Sequence, residues 1–355
     1  MTGRLDGKVA LITGATTGIG EAIAHKIGNG ALLRECTLQI PHCGLNTASF
    51  NSRYRILAMV HCCANAPYKF PTTPPTHHPT NPPTHLPMPT LDILIPTYNR
   101  PDALAITLTS LCAQTCQDFR VTISDQTEDE DMIRLGSIQA VLRVLKAHGN
   151  SPQILKHLPR QGIAEQRQFL LEQASAPYIL FLDDDVLMEP WVLALLLNTI
   201  QEEKCGFVGN PLIGLSYIND IRPEEHRMFN PWPGRVQPET IQKGTPAWER
   251  WRLHNAANPY HLQEHYGFTV ENPHTYRVAW ISGCVIFDRA KLLDVGGFEF
   301  WQDLPPNSCG EDVLAQQRVM KQYGGCGVLP SGAYHQEVPT TIRDRTYNAP
   351  NLIPI

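Results

Sequence analysis

The chain contains no apolar run that approaches a bilayer in length: in its second half the longest is Trp191–Leu197, against the roughly 18 residues that a span needs. No transmembrane anchor is expected. Basic charge is not in excess either, with 29 Lys and Arg against 34 Asp and Glu and a net charge of -5. That balance argues against nucleic acid or an anionic membrane as the main partner. The 10 cysteines include Cys36, Cys43 and the adjacent Cys62 and Cys63, but no repeated C-x-x-C pair. A zinc framework is therefore not expected, and free thiols in a reducing compartment are. Nor is a secretory leader expected, because Asp6 falls where a leader's basic region would lie and the apolar stretch after it is soon broken by glycine. These absences point to a cytoplasmic protein, with peripheral attachment to a membrane left open.

What is present is an ordinary apolar share, 42% of 355 residues, enough for one large domain or two moderate ones. Its distribution is uneven. Residues 28–90 lack sustained periodicity, and from Pro71 they are mostly Pro, Thr and His, with PTTPPTH at 71–77 nearly repeated as PTNPPTH at 79–85. Proline removes backbone donors and fixes φ, so this segment is expected to be an extended, disordered linker.

Composition changes at Leu91. LDILIPTY reads as a buried strand, PDALAITLTSLCAQ as an amphipathic helix opened by Pro101, FRVTISD as a second strand, and Met132 to Lys146 as another helix. QILKHL, GIAEQRQFLLEQA, YILFLDDD and PWVLALLLNTIQEE continue the alternation. This predicts an α/β fold with a mainly parallel central sheet and ligands at the carboxyl ends of its strands. Residues 213–277 are rich in Pro, His, Trp and Tyr and too long for an ordinary connection, so they are expected to wall a substrate site. The pattern resumes with VAWISGCVIF, a helix starting near Glu311 and a strand around Val328.

Two stretches carry recognisable chemistry. The first is LITGATTGIG at 11–20, in which an apolar strand leads into Gly14, Gly18 and Gly20 and a helix start suited to an anion. It resembles the opening of a short-chain dehydrogenase, which implies NAD(P) binding. That family's Tyr with Lys four residues on is found at none of the 11 tyrosines, and the pattern stops after Ile27. Residues 1–27 are expected to be a truncated fragment of that kind, and a fused or misassigned reading frame would account for residues 1–90.

The second is YILFLDDDV at 178–186, where an apolar strand ends in Asp183, Asp184 and Asp185. Alternate residues of an extended chain share a face, so Asp183 and Asp185 are candidates to act together. Carboxylates this close repel unless a cation compensates, and Mg or Mn, a hard ion that joins carboxylates to phosphates, meets that need.

With IPTYNRPDAL, ISDQT, RQGIAEQRQFLL and CGEDV in the same order, residues 91–335 resemble a family 2 glycosyltransferase. The resemblance implies the GT-A nucleotide-sugar fold and transfer of one sugar from a nucleoside diphosphate sugar to an acceptor hydroxyl. It places Pro96, Tyr98 and Asn99 along the nucleotide, Asp125 at the base, and Gly162 and Arg167 at the diphosphate or shaping its site. Asp183 falls near the ribose and the metal, Asp185 on the metal. Asp312 becomes the catalytic base, with Glu311 beside it in a different role, since adjacent helical residues face apart.

Gly283 in WISGC and His335 in GAYHQ are further candidates, the latter for a metal or diphosphate. Trp232, Trp248, Trp251 and Trp280 are able to stack on sugar rings, although core packing is the usual role of such residues. The processive members' Gln-x-x-Arg-Trp after the base is missing, because ERW at 249–251 precedes the base and lacks the Gln. Single addition is expected, with a carbohydrate, lipid-linked or small-molecule acceptor. Residues 336–355 read as a C-terminal tail. The competing readings are an NAD(P)-dependent oxidoreductase and a non-catalytic nucleotide-sugar-binding protein.

Overall fold

The computed structural model describes residues 3–4, 37–38, 89–128, 131–342 and 345–355, and the chain divides into two units, Met1–Pro83 and Thr84–Ile355. In the first unit, strands β1 (Gly3–Arg4) and β2 (Thr37–Leu38) pair antiparallel. The dehydrogenase-like glycines and nearly all of the expected linker lie outside the described residues.

The second unit is built on β3 (Leu91–Thr97), every residue of which is buried. It is followed by α1 (Pro101–Cys112), β4 (Phe119–Asp125), α2 (Gly136–Ala147), β5 (Gln153–Lys156), α3 (Ile163–Gln173), β6 (Tyr178–Leu182), β7 (Val186–Met188), α4 (Val192–Glu203) and β8 (Phe207–Gly209). Then come α5 (Pro223–His226), α6 (Asn258–Tyr266), β9 (His274–Tyr276), β10 (Cys284–Asp288), α7 (Arg289–Asp294), α8 (Glu311–Tyr323), β11 (Gly325–Leu329), β12 (Ala333–His335) and α9 (Ala349–Leu352).

The main sheet runs β5-β4-β3-β6-β10-β8-β11-β9, and its first four strands are parallel to one another. β10 pairs antiparallel with β6 and β8, and β11 is parallel to β8. A parallel sheet has both faces covered, which is why β6 reads as an unbroken apolar run and the apolar run of β3, Leu91–Ile95, is interrupted only by Asp92, which pairs with Arg120 (2.8 Å). Leu91, Ile93 and Ile95 pack with Leu104 and Leu108 of α1 on one face, while Leu94 packs with Leu170 of α3 and Leu314 of α8 on the other. The two-residue alternation of the strand feeds two cores.

From β3 the chain moves outward through β4 to β5 and then returns to β6 on the other side. That reversal opens a crevice at the carboxyl ends of β3 and β6, the place where such sheets bind ligands. Gln166, near the start of α3, closes the floor by donating to the carbonyls of Thr97 (3.2 Å) and Ser124 (2.7 Å), at the ends of β3 and β4.

Two elements differ from expectation. The helix expected over 132–146 is a 3-10 turn, Met132–Arg134, and then α2, separated by an extended Leu135; Gly136 at the joint is a poor helix former and marks the break. VAWISGCVIF becomes a strand only from Cys284, because Gly283 has φ +82°, outside the extended region. Beyond His335 the chain packs on the domain: α9 buries Ala349, and Ile353 and Ile355 lie against the core beside α8. No helix among the described residues is long and apolar enough to cross a membrane.

Candidate active site

At the carboxyl ends of β3 and β6 lies a cleft of about 430 Å3. Its chemistry is set by three acidic residues that leave β6 and two that open α8. Asp184 points inward, accepting from the Thr97 hydroxyl (2.7 Å) and from Arg100 (3.1 Å), while its carbonyl takes the Thr107 hydroxyl (2.8 Å). Burial raises its pKa to about 6, with Asp185 adding to the rise and Thr97 and Arg100 opposing it.

Asp185 accepts from the same Arg100 nitrogen (2.8 Å) and lies 3.5 Å from the His335 Nε2. Burial, followed by repulsion from Asp183, raises its pKa. Arg100 also reaches the Pro339 carbonyl, tying the segment after β12 to the cleft.

Asp183 is fixed from the other side. Its amide donates to the Gly283 carbonyl (2.9 Å), and its carboxylate pairs with Arg167 (3.0 Å). Arg167 is buried and also binds Glu311 (2.9 Å), so it ties α3, the end of β6 and the start of α8 together. Burial alone would lower its pKa, but the carboxylates of Asp183, Glu311 and Asp312 outweigh that and hold it charged. Glu311 is pushed upward by burial and by Asp312, against the pull of Arg167.

Asp312 faces the cleft next to Glu311. One oxygen accepts from the Ser282 hydroxyl (2.8 Å) and the other from the Val313 amide (2.8 Å). Burial raises its pKa, with Arg167 and the Ser282 bond opposing the rise. It is therefore a more basic carboxylate than an exposed aspartate, and it is held in a single orientation.

Of the residues expected at the nucleotide, Pro96, Tyr98, Arg167, Asp183 and Asp185 line this cleft together with Asp312, and Asn99, Asp125 and Gly162 do not. Asn99 occupies the left-handed region (φ +53°) and shapes the turn after β3. Asp125 is buried, accepting from the Thr127 amide (2.8 Å) and pairing with Lys156 (3.2 Å). Gly162 caps α3 with φ +103°, and a Cβ there would run into the Pro306 carbonyl, so it is required by packing. At Gly283 a Cβ would meet Leu212 at 2.5 Å. Leu212 and Asp183 fill the space beside it.

Sequence reasoning missed Arg100, Arg160 and Ser282. Arg160 lies 3.8 Å over the Tyr98 ring at the rim. Arg100 stands directly after the YN of the first motif, where a basic residue opposite an Asp-rich strand end was the available signal.

A second cavity, of about 320 Å3, adjoins the cleft and shares Leu212, Ser282 and His335 with it. Trp251 and Trp280 line it, their rings stacked at 6.2 Å, whereas Trp248 packs behind Trp280 (5.0 Å) and Trp232 lies under Arg277 (3.8 Å). The long segment 213–277 thus supplies much of this wall.

Residues 92–255 match the model of Glycosyl transferase family 2, a span that includes Asp183 and Asp185 and stops before Ser282 and Asp312. An uncharacterized glycosyltransferase of Haemophilus influenzae is 28% identical over 38% of this chain and 45% of its own length. A GalNAc(5)-diNAcBac-PP-undecaprenol beta-1,3-glucosyltransferase of Campylobacter jejuni is 28% identical over 36% of this chain and 39% of its own. The chain thus spans less than half the length of these curated relatives. A solved mannosyltransferase from Pyrobaculum calidifontis aligns over 72% of this chain and 59% of its own with 16% identity and a TM-score of 0.44. Over residues 92–255, somewhat under half of its length, the chain is similar to glycosyl transferase family 2, and its curated relatives are glycosyltransferases.

Proposed function

We propose that the chain is an inverting, metal-dependent glycosyltransferase that moves one sugar from a nucleoside diphosphate sugar to an acceptor hydroxyl. The observation that carries this reading is the position of Asp312: a carboxylate made more basic by burial, oriented by Ser282, across one cleft from Asp183 and Asp185.

The residues at the cleft suit a hard divalent ion. Asp185 and Asp183 offer carboxylate oxygens and His335 an imidazole nitrogen, and the arginine on Asp185 marks a place where positive charge is wanted. Among the described residues no group of three or more His, Cys, Asp or Glu forms a cage. Mg or Mn there would take Asp185 and Asp183 and complete its shell with substrate phosphates and water. Bound by Asp185 and Asp183, such an ion would offset charge on the departing diphosphate.

The protein's own residues do the rest. Asp312 takes the acceptor's hydroxyl proton as that oxygen forms its bond to the anomeric carbon. On the opposite face the bond from that carbon to the phosphate oxygen breaks, and its electron pair leaves with the nucleoside diphosphate. Arg167 and Glu311 hold the geometry of Asp183 and Asp312, so that both substrates meet in one orientation. The test is thermal denaturation of the full chain with UDP, GDP, dTDP or NADPH, each with and without Mn. One nucleoside diphosphate is expected to stabilise the fold only with Mn, by about 2.7 kcal/mol at about 100 times its dissociation constant. Stabilisation by NADPH alone would overturn the proposal.

A further inference from the structure

The second cavity differs in chemistry from the cleft it joins. Trp251, Trp280 and Tyr217 supply aromatic surface, Asn255 and Ser282 supply polar groups, and Glu337 is its carboxylate, held by the Ser216 hydroxyl and amide. Among the described residues no Lys or Arg lines it, although Arg252 lies 5.2 Å from the centre of the Trp251 ring and His335 is shared with the cleft, which is lined by Arg100, Arg160, Arg167 and Arg345. His254 adds no cation, because burial lowers its pKa to about 4 and leaves it neutral, with its Nε2 3.0 Å from the Tyr276 hydroxyl.

A ligand that fits such a wall has an apolar face and polar edges and carries no phosphate. A pyranose ring meets this description, with C–H groups on one face for an indole and hydroxyls around its rim for Asn255 and Ser282. At about 320 Å3 the cavity lies at the small end of the range for small-ligand sites, about 300–1,000 Å3. Its position supplies the remaining argument. Ser282 lines both cavities and donates to Asp312 (2.8 Å), so a hydroxyl at the edge of a ring seated here would reach the base at the shared wall.

Building on the function proposed above, we propose that this cavity is the acceptor subsite and that it takes a neutral saccharide ring, with the phosphate-bearing chemistry confined to the arginine-lined cleft. Tyr217, half exposed at 51%, stands at the mouth as a second stacking surface.

The test uses the full chain and three kinds of probe. The first is the set of methyl β-glycosides of glucose, galactose, N-acetylglucosamine and N-acetylgalactosamine. The second is geranyl phosphate. The third is UDP or GDP with Mn. Binding is read by tryptophan fluorescence and by magnetisation transfer to the ligand. At least one glycoside is expected to bind with transfer concentrated on the C–H protons of one ring face. Trp251→Ala should weaken it about tenfold, about 1.4 kcal/mol, and Tyr217→Ala less, while nucleotide binding is unchanged. Because Tyr217 is exposed, its variant keeps the test open should Trp251→Ala fail to fold.

Nucleotide binding with no glycoside binding would overturn the acceptor assignment and leave the donor reading standing. Glycoside binding insensitive to both variants would overturn it as well. Geranyl phosphate binding that Trp251→Ala abolishes would replace the saccharide with a lipid phosphate. Failure of both nucleotide and glycoside to bind would remove the underlying function along with this inference.

Discussion

In the cleft, each carboxylate that lines it has a fixed partner: Arg100 for Asp184 and Asp185, Arg167 for Asp183 and Glu311, Ser282 for Asp312. The neighbouring cavity is walled by Trp251, Trp280 and Tyr217, and its carboxylate, Glu337, is anchored outward to Ser216. One region holds its dipoles and charges in place before any ligand arrives, as stabilisation of developing charge requires. The other presents surface that accepts a ring by contact and leaves its fine orientation to a few polar groups. On the proposed reading, donor chemistry and acceptor selection rest on different physics and meet at a wall shared by Leu212, Ser282 and His335.

The change expected to separate the two regions most sharply is Asp312→Asn. It keeps the shape and removes the proton acceptor, so transfer should fall by about 100- to 10,000-fold, the range attributed to general-base catalysis. Nucleotide binding to the cleft and saccharide binding to the aromatic cavity should both persist. Near-normal transfer, measured with a radiolabelled donor sugar, would sink the base assignment.

Next in size is the loss of the buried arginine. Arg167→Leu leaves Asp183 and Glu311 without their cation in a site where the arginine and glutamate side chains are only 7% and 6% exposed. Breaking one partner of such a pair costs about 3–5 kcal/mol. The denaturation midpoint should drop accordingly, and Arg167→Leu combined with Glu311→Leu should recover part of the loss. A single variant as stable as the parent would show that the network does not hold the cleft together.

Much of this contrast was legible in the sequence, but unevenly. The apolar runs LDILI and YILFL specified buried parallel strands, and the crowding of Asp183 to Asp185 announced a charged site, because both signals are local. The roles of Asn99, Asp125 and Gly162 were not local. Asn99 sits in a left-handed turn, Asp125 pairs with Lys156, and a Cβ at Gly162 would meet Pro306, which lies far along the chain. Arg167 came out as a strut between α3 and α8 for the same reason, since its partner Glu311 is 144 residues away. The aromatic cavity was the least readable. Segment 213–277 has no period, and its walls form only where short turns such as Leu215–Tyr217 and Trp248–His254 bring separate aromatics together.

The smallest expected effect is the one that probes the shared wall itself. In Ser282→Ala the Asp312 carboxylate loses a donor that stabilises its charged form, so its pKa, already raised by burial, rises further. The base must be deprotonated to accept a proton, and activity therefore appears only as pH climbs through that value. The acid limb of kcat/KM should move to higher pH, while the plateau at alkaline pH falls only modestly. A serine that served only to shape the aromatic cavity would change KM for the acceptor and leave the limb in place. A shift of the limb at constant acceptor KM would put Ser282 on the side of the charged cleft.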